Sequence, residues 1–204
     1  MLDWIGERIA PRNARAQDAG AAGLVGTTRL ATPEGWRRAD DIAAGDRVVT
    51  FDSGIQTVRS VARRLVPGPR EVAEALVWVP ERLIGNAAPL LVSPGQGLMV
   101  ESDLAEAAWG DPFALVPASV LSGVPGVAEM LPEAPLVVVS LGFEADEVVF
   151  AEGQALVHCA GSWSQPASLD AAATAPPPRY AMLGAGEARM LAASLAPPPE
   201  PRIC

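Results

Sequence analysis

Between Gly23 and Cys159 the chain is a succession of short apolar runs cut by Gly and Pro, and this punctuation constrains the fold most. Runs of four to eight β-prone residues bounded by turn residues indicate strands. "TTRLAT" (27–32) is such a run, closed by "PEG". A tight turn at Ala44–Asp46 precedes an expected strand at Arg47–Phe51. Asp52–Gly54 then suits a hairpin turn, because Gly54 can take positive φ without steric cost. A second strand is expected from Ile55 to Val66. Further apolar runs lie at 72–80, 89–101, 113–121 and 135–143. "DEVVFAEGQALVHC" (146–159) closes the series as two strands around Glu152–Gly153. Together these runs predict a mainly β domain. "DLAEAAWG" (103–110) is the one helical turn expected within it, with Asp103 as N-cap and Glu106 completing a capping-box pattern.

The ends differ in composition. Leu2, Ile5 and Ile9 have helical spacing before Pro11, and residues 11–22 have the character of a linker. After Cys159 a Pro-, Ser- and Ala-rich stretch precedes "RYAMLGAGEARMLAASL" (179–195). This predicts a short helix weakened by Gly184 and Gly186, then a disordered Pro-rich tail. The expected divisions are 1–22, 23–160 and 161–204.

Charge narrows the partners. The net charge is −9 and every basic residue is arginine. An acidic chain repels phosphate backbones, so no nucleic-acid partner is expected. No apolar run is long enough to span a bilayer. Asp3, Glu7 and Arg8 interrupt what a signal peptide would keep apolar, which predicts a cytoplasmic protein. One His and two Cys are too few ligands for a zinc site, and no cofactor is expected. A Cys159–Cys204 bridge is an alternative to the reduced state.

Three separated stretches carry a family resemblance. "GLVGTTRLATPEGWRRADDIAAGDRVVTFDSGIQTV" (23–58) is followed by "LIGNAAPLLVSPGQGLMVESDLAEAAWGDPFALVPASVL" (83–121) and "DEVVFAEGQALVHC" (146–159). In order, these resemble a Hint (Hedgehog/intein) domain in its bacterial form. The resemblance implies a horseshoe-shaped β-fold whose beginning and end meet at one pocket. In active members a first-residue Cys or Ser attacks the preceding carbonyl, turning an amide into a thioester or ester. A middle-strand histidine polarises that amide. In inteins a penultimate histidine assists cyclisation of a terminal asparagine.

Those roles map poorly onto this chain. The first position falls on Gly23, which has no side chain to attack with. The middle-strand histidine, within a motif resembling Ser-Pro-Gln-His, falls on Gln96 in "SPGQGLMV". Glutamine can hydrogen-bond a carbonyl but shuttles no proton near neutral pH. The terminal pair falls on His158 and Cys159, so the asparagine is replaced by cysteine. The resemblance therefore implies a vestigial pocket around Gly23, Thr28 and Gln96, with His158 marking its far side.

Two readings of His158 and Cys159 compete. As catalytic residues they would be an acid/base and a nucleophile at a neighbouring bond. As structural ones, His158 is hydrogen-bonded and Cys159 packs as a small hydrophobe. Adjacent strand residues point to opposite faces, which disfavours a direct dyad. Thr27 and Thr28 lack an upstream histidine to activate them and fit a strand. Glu101, Asp103, Glu106 and Asp111 do not match a calcium loop. Trp36, Trp78 and Trp109 are expected in core or turn packing, and Arg63, Arg64 and Arg70 on an ordinary surface strand. The sequence thus favours a non-catalytic Hint-like scaffold with short N- and C-terminal helices. Its partners would be its own flanking segments or another protein. Altered autoprocessing and small-ligand binding in the vestigial pocket are the alternatives.

Overall fold

Among the described residues, turn residues set off fourteen strands, all in antiparallel pairings with one another. The computed structural model describes residues 22–68, 75–161 and 179–195. The helix expected at 1–10, the linkers, the tail and any Cys159–Cys204 bridge lie outside the described residues, as does Arg70.

Six strands form one sheet in the order β11-β7-β8-β1-β12-β6. They are β1 (Leu24–Val25), β6 (Ser60–Val66), β7 (Leu76–Val79), β8 (Leu90–Val92), β11 (Ala128–Met130) and β12 (Leu136–Gly142). The second sheet contains β2 (Arg29–Thr32), β3 (Gly35–Arg38), β4 (Arg47–Thr50), β5 (Gly54–Thr57), β9 (Gly97–Glu101), β10 (Phe113–Pro117), β13 (Glu147–Ala151) and β14 (Ala155–Cys159). Its main path is β10-β9-β14-β13-β2-β3, with β4 joining β13 to β5.

The strand expected over 55–66 is two strands in different sheets. Val58 is fully buried, and its N–H and C=O pair with Asp46 O and Gly45 N at 2.8 Å each. That pairing ends β5, and the chain crosses to the other sheet as β6. Arg63 and Arg64 tie this strand to its neighbours: Arg63 donates to Ile42 O at 2.7 Å and Arg64 to Ser93 Oγ at 3.3 Å.

Helix α1 (Asp103–Trp109) forms where the sequence predicts it, but its cap is Ser102. Ser102 Oγ accepts the Leu104 N–H at 3.2 Å, and Asp103 is already helical. Gly110 closes the helix at φ 78°, a conformation that costs glycine little. Helix α2 (Ala185–Ser194) is shorter than the expected 179–195. Residues before Gly184 instead lie along the edge of β10: Leu183 N–H donates to Leu115 O at 2.8 Å, and Met182 bridges Leu115 in parallel.

Among the described residues three apolar clusters fill the interior, one of them formed by Val25, Val66, Leu76 and Val138. The main core takes Leu30, Ile42, Leu98, Leu121, Phe143 and, from α2, Leu191. A smaller one gathers Met99, Leu115, Val148 and Leu156, with Phe51, Phe113, Phe150 and Tyr180 packed against it. Trp36 and Trp109 are 48 % and 40 % exposed, against the expectation of core or turn packing. Each has an apolar ring in a β-strand or final helical turn on the outside of the sheet system rather than between its layers.

The turn from β13 to β14 is fixed by charge. Glu152 adopts φ 43° and Gly153 φ 107°. Glu152 is buried, and its carboxylate accepts the Arg29 backbone N–H at 2.7 Å and Arg29 Nε at 2.9 Å. Holding a non-glycine residue at positive φ costs energy that this bidentate, charge-assisted contact offsets.

Candidate functional site

Strand β14 lies between β9 and β13, so both its edges are paired. The strand pleat sends Ala155, Val157 and Cys159 into the main core. Leu156 belongs to the smaller cluster, and the His158 ring meets Tyr180 edge-on at 6.0 Å between centroids. His158 and Cys159 therefore occupy one strand end but opposite faces.

At that end is a cavity of about 500 Å³, lined by residues that include Ala22, Gln96, Ser140, His158, Cys159 and Gly161. Residue 22 at one end of the β-domain and residue 161 at the other thus share one wall-to-wall space. Gly23 is the link between Ala22 and Leu24, both on the lining. Its own carbonyl accepts the Ser93 N–H at 2.9 Å. A Cβ at position 23 would lie 2.2 Å from Val138 Cγ1 and 3.1 Å from Ser140 Oγ. A nucleophilic side chain is absent here, and adding one requires Val138 to move.

Gln96 is buried, and its amide nitrogen donates to His158 O at 2.7 Å and Gly97 O at 3.0 Å. Both of its N–H groups therefore bond backbone, one of them across to β14. Thr28 is buried at the β1–β2 turn, where its carbonyl accepts the Ala39 N–H at 2.7 Å. It is not among the cavity's lining residues. The structure thus gathers Gln96, His158 and Cys159 at the cavity with Gly23 at its edge, and leaves Thr28 outside.

Burial disfavours the charged forms of His158 and Cys159. Burial pushes the Cys159 thiol up to about 12, with the Glu147 carboxylate adding to the effect. The thiol is therefore protonated at neutral pH, and the thiolate is the nucleophile. Burial also lowers the His158 pKa below 6.5, with the Asp146 charge opposing it less strongly. His158 Nε2 is buried and has no hydrogen-bond partner among the described residues.

Three participants went unnoticed in the sequence. Ser140 Oγ donates to Ala22 O at 2.6 Å, on the carbonyl just before Gly23. A lone polar residue inside the run "PLVVVSLGF" was the available signal. Asp146 Oδ1 accepts the Gly161 N–H at 2.7 Å. A Cβ on Gly161 would come within 2.5 Å of the Ala145 carbonyl carbon, so only glycine fits there. Tyr180, the single tyrosine of the chain, covers His158 from a segment that sequence reasoning assigned to a helix.

Comparison with known proteins decides the family. A family model described as Hint domain matches residues 22–156. The chain belongs to the Hint domain family. Among solved structures, this Hint domain is similar to the bacterial intein-like domain from Clostridium thermocellum, at 16 % identity and TM-score 0.45, over 67 % of this chain and 97 % of that one. It is also similar to the TvoVMA intein, at 13 % identity and TM-score 0.49, over 68 % and 98 %. The gp41-1 intein gives 14 % identity and TM-score 0.43, over 68 % and 98 %. At these scores the assignment rests on the family match. No curated protein matches the chain. Among the described residues no group of three or more His, Cys, Asp or Glu could hold a metal ion, and no helix is long and apolar enough to cross a membrane.

Proposed function

We propose that this Hint domain is a non-catalytic scaffold that holds its two flanking segments side by side. Gly23 carries the reading: the position from which a Hint nucleophile would attack has no side chain, and Val138 fills the space one would need. Gln96 supports it, because its donors hold backbone carbonyls together and supply no proton. Ala22 and Gly161 both line the cavity, which is the arrangement needed to present residues on either side of the domain as a pair. The acidic charge favours a protein over a nucleic-acid partner.

In the alternative, Cys159 attacks a neighbouring bond with His158 as acid/base. It meets two obstacles: a thiol kept protonated by burial, and an imidazole on the strand's other face. A thiol–base pair needs hydrogen-bond reach of ~3 Å.

Reporter domains placed before residue 1 and after Cys204 separate these readings. Intact mass measured over days, with and without added thiol, is expected to show an unbroken fusion. Cleavage at 22/23, or cleavage beside Cys159 that disappears in Cys159→Ala, overturns the scaffold.

A further inference from the structure

A second cavity, of about 300 Å³, lies between the last turn of α1 and the C-terminal segment. Its lining includes Phe51, Asp52, Trp109, Asp111, Arg179 and Tyr180. Arg179 and Tyr180 lie beyond residues 22–156, so two of its walls come from outside the matched Hint region.

The cavity has two halves of the same chemistry. In one, the Arg179 guanidinium carbon sits 5.5 Å from the Tyr180 ring centroid, with an Arg179 nitrogen 3.7 Å from Asp52 Oδ2. Tyr180 hydroxyl donates to that same carboxylate, and Arg179 donates to Ser53 Oγ at 2.6 Å. An aromatic face and a carboxylate there already hold a guanidinium. In the other half, Trp109 and Asp111, separated in sequence by Gly110, line the same cavity. Asp111 Oδ1 accepts the Phe113 N–H at 2.9 Å, while its other oxygen makes no hydrogen bond among the described residues. Trp109 is 40 % exposed at the end of α1, a placement with little packing value for so large an apolar ring. Phe51 and Phe113, edge-to-face at 4.9 Å, give an apolar wall against which an alkyl stem can lie. The chain's net charge of −9 raises the local concentration of cations.

We propose that the Trp109–Asp111 half of this cavity binds an alkylguanidinium group, with the cation over the Trp109 ring, its N–H groups on Asp111 and its stem along Phe113. The group can belong to a free small molecule or to an arginine side chain of a peptide. The site is independent of the scaffold reading, because it shares no lining residue with the cavity around Gln96 and Cys159.

Titration calorimetry with ethylguanidinium tests the proposal, with ethylurea as the neutral isostere. The Trp109 indole N–H resonance, assigned by its loss in Trp109→Leu, reports location. Saturable binding of ethylguanidinium with a shift of that resonance is expected, and no binding of ethylurea. Trp109→Leu should weaken binding roughly 3- to 30-fold. Asp111→Asn keeps an oxygen for the Phe113 N–H and should weaken binding roughly 2- to 5-fold. A parallel titration with a Gly-Arg-Gly peptide distinguishes the sources: tighter binding than ethylguanidinium assigns a peptide, weaker binding a small molecule. Absence of saturation with both cations, equal binding of ethylurea, or unchanged affinity in both variants with unchanged Tm overturns the site.

Discussion

On one face of β14, Ala155, Val157 and Cys159 join a large core to which both sheets and α2 contribute. On the other face, Leu156 and His158 are covered by a smaller cluster and by an extended segment that contributes Tyr180 and Met182. Most of the first face is made by residues inside the family match, with α2 added from beyond it. The second is completed by residues far along the chain, and it carries both the buried His158 nitrogen, which has no hydrogen-bond partner among the described residues, and the wall of the second cavity. The two faces of a single strand thus pack against different parts of the C-terminal segment: α2 on one side, Tyr180 and Met182 on the other. A variant confined to one face therefore reports on that face.

The largest difference between the faces should appear in their packing. Phe143→Ala removes a ring that is 1 % exposed in the main core and should cost about 3–5 kcal/mol. Equilibrium urea unfolding measures it, and a loss near zero would mean that the main core does not dominate stability. Gly23→Ala is next, at about 1–3 kcal/mol, since its methyl meets Val138 at 2.2 Å. The double variant with Val138→Ala should recover part of that loss, and failure to recover it would break the explanation by close approach. Tyr180→Ala, on the second face, should cost only about 1–2 kcal/mol, because the ring is half-buried and its segment makes few backbone bonds.

The smallest effect is a pH dependence specific to the second face. Burial lowers the His158 pKa in the folded state below 6.5, so below that pH the unfolded chain binds the proton more readily. Stability from this group is present above pH 6.5 and declines as pH falls toward the folded-state value. The groups facing it are the Tyr180 ring, the Asp146 charge and apolar Val148 across the strand pair. Urea midpoints at pH 8 to pH 5 should fall more steeply in the native chain than in His158→Gln. In Tyr180→Ala, with the ring's cover removed, the His158 pKa followed by NMR should rise. An unchanged value would show that Tyr180 does not keep water from the imidazole.

Much of this was legible in the sequence because it is local. The strands, α1 and the 152–153 turn are marked by apolar runs and their Gly and Pro boundaries. Ordered motifs indicated the family, and Gly23 and Gln96 stood at readable positions. The opposite placement of His158 and Cys159 follows from the two-residue period of a strand. Other features were hidden because they depend on contacts between distant residues. Ser102 rather than Asp103 caps α1, since the choice between adjacent acceptors is set by where the chain enters the helix from β9. Val58 breaks a sequence-continuous strand by pairing with the Gly45–Asp46 turn. Ser140 reaches Ala22 across 118 positions, and Thr28, close to Gly23 in sequence, is turned away from the cavity.

The sequence by itself determined a mainly β Hint domain, because composition, period and ordered motifs need no fold to be read. Only the tertiary structure decided that Val138 fills the space beside Gly23 and that Cys159 is held as a protonated thiol. It alone turned residues 179–183 from an expected helix into a cover over His158 and a wall of a second cavity. Those outcomes depend on burial and on contacts across more than a hundred residues, which local pattern does not encode.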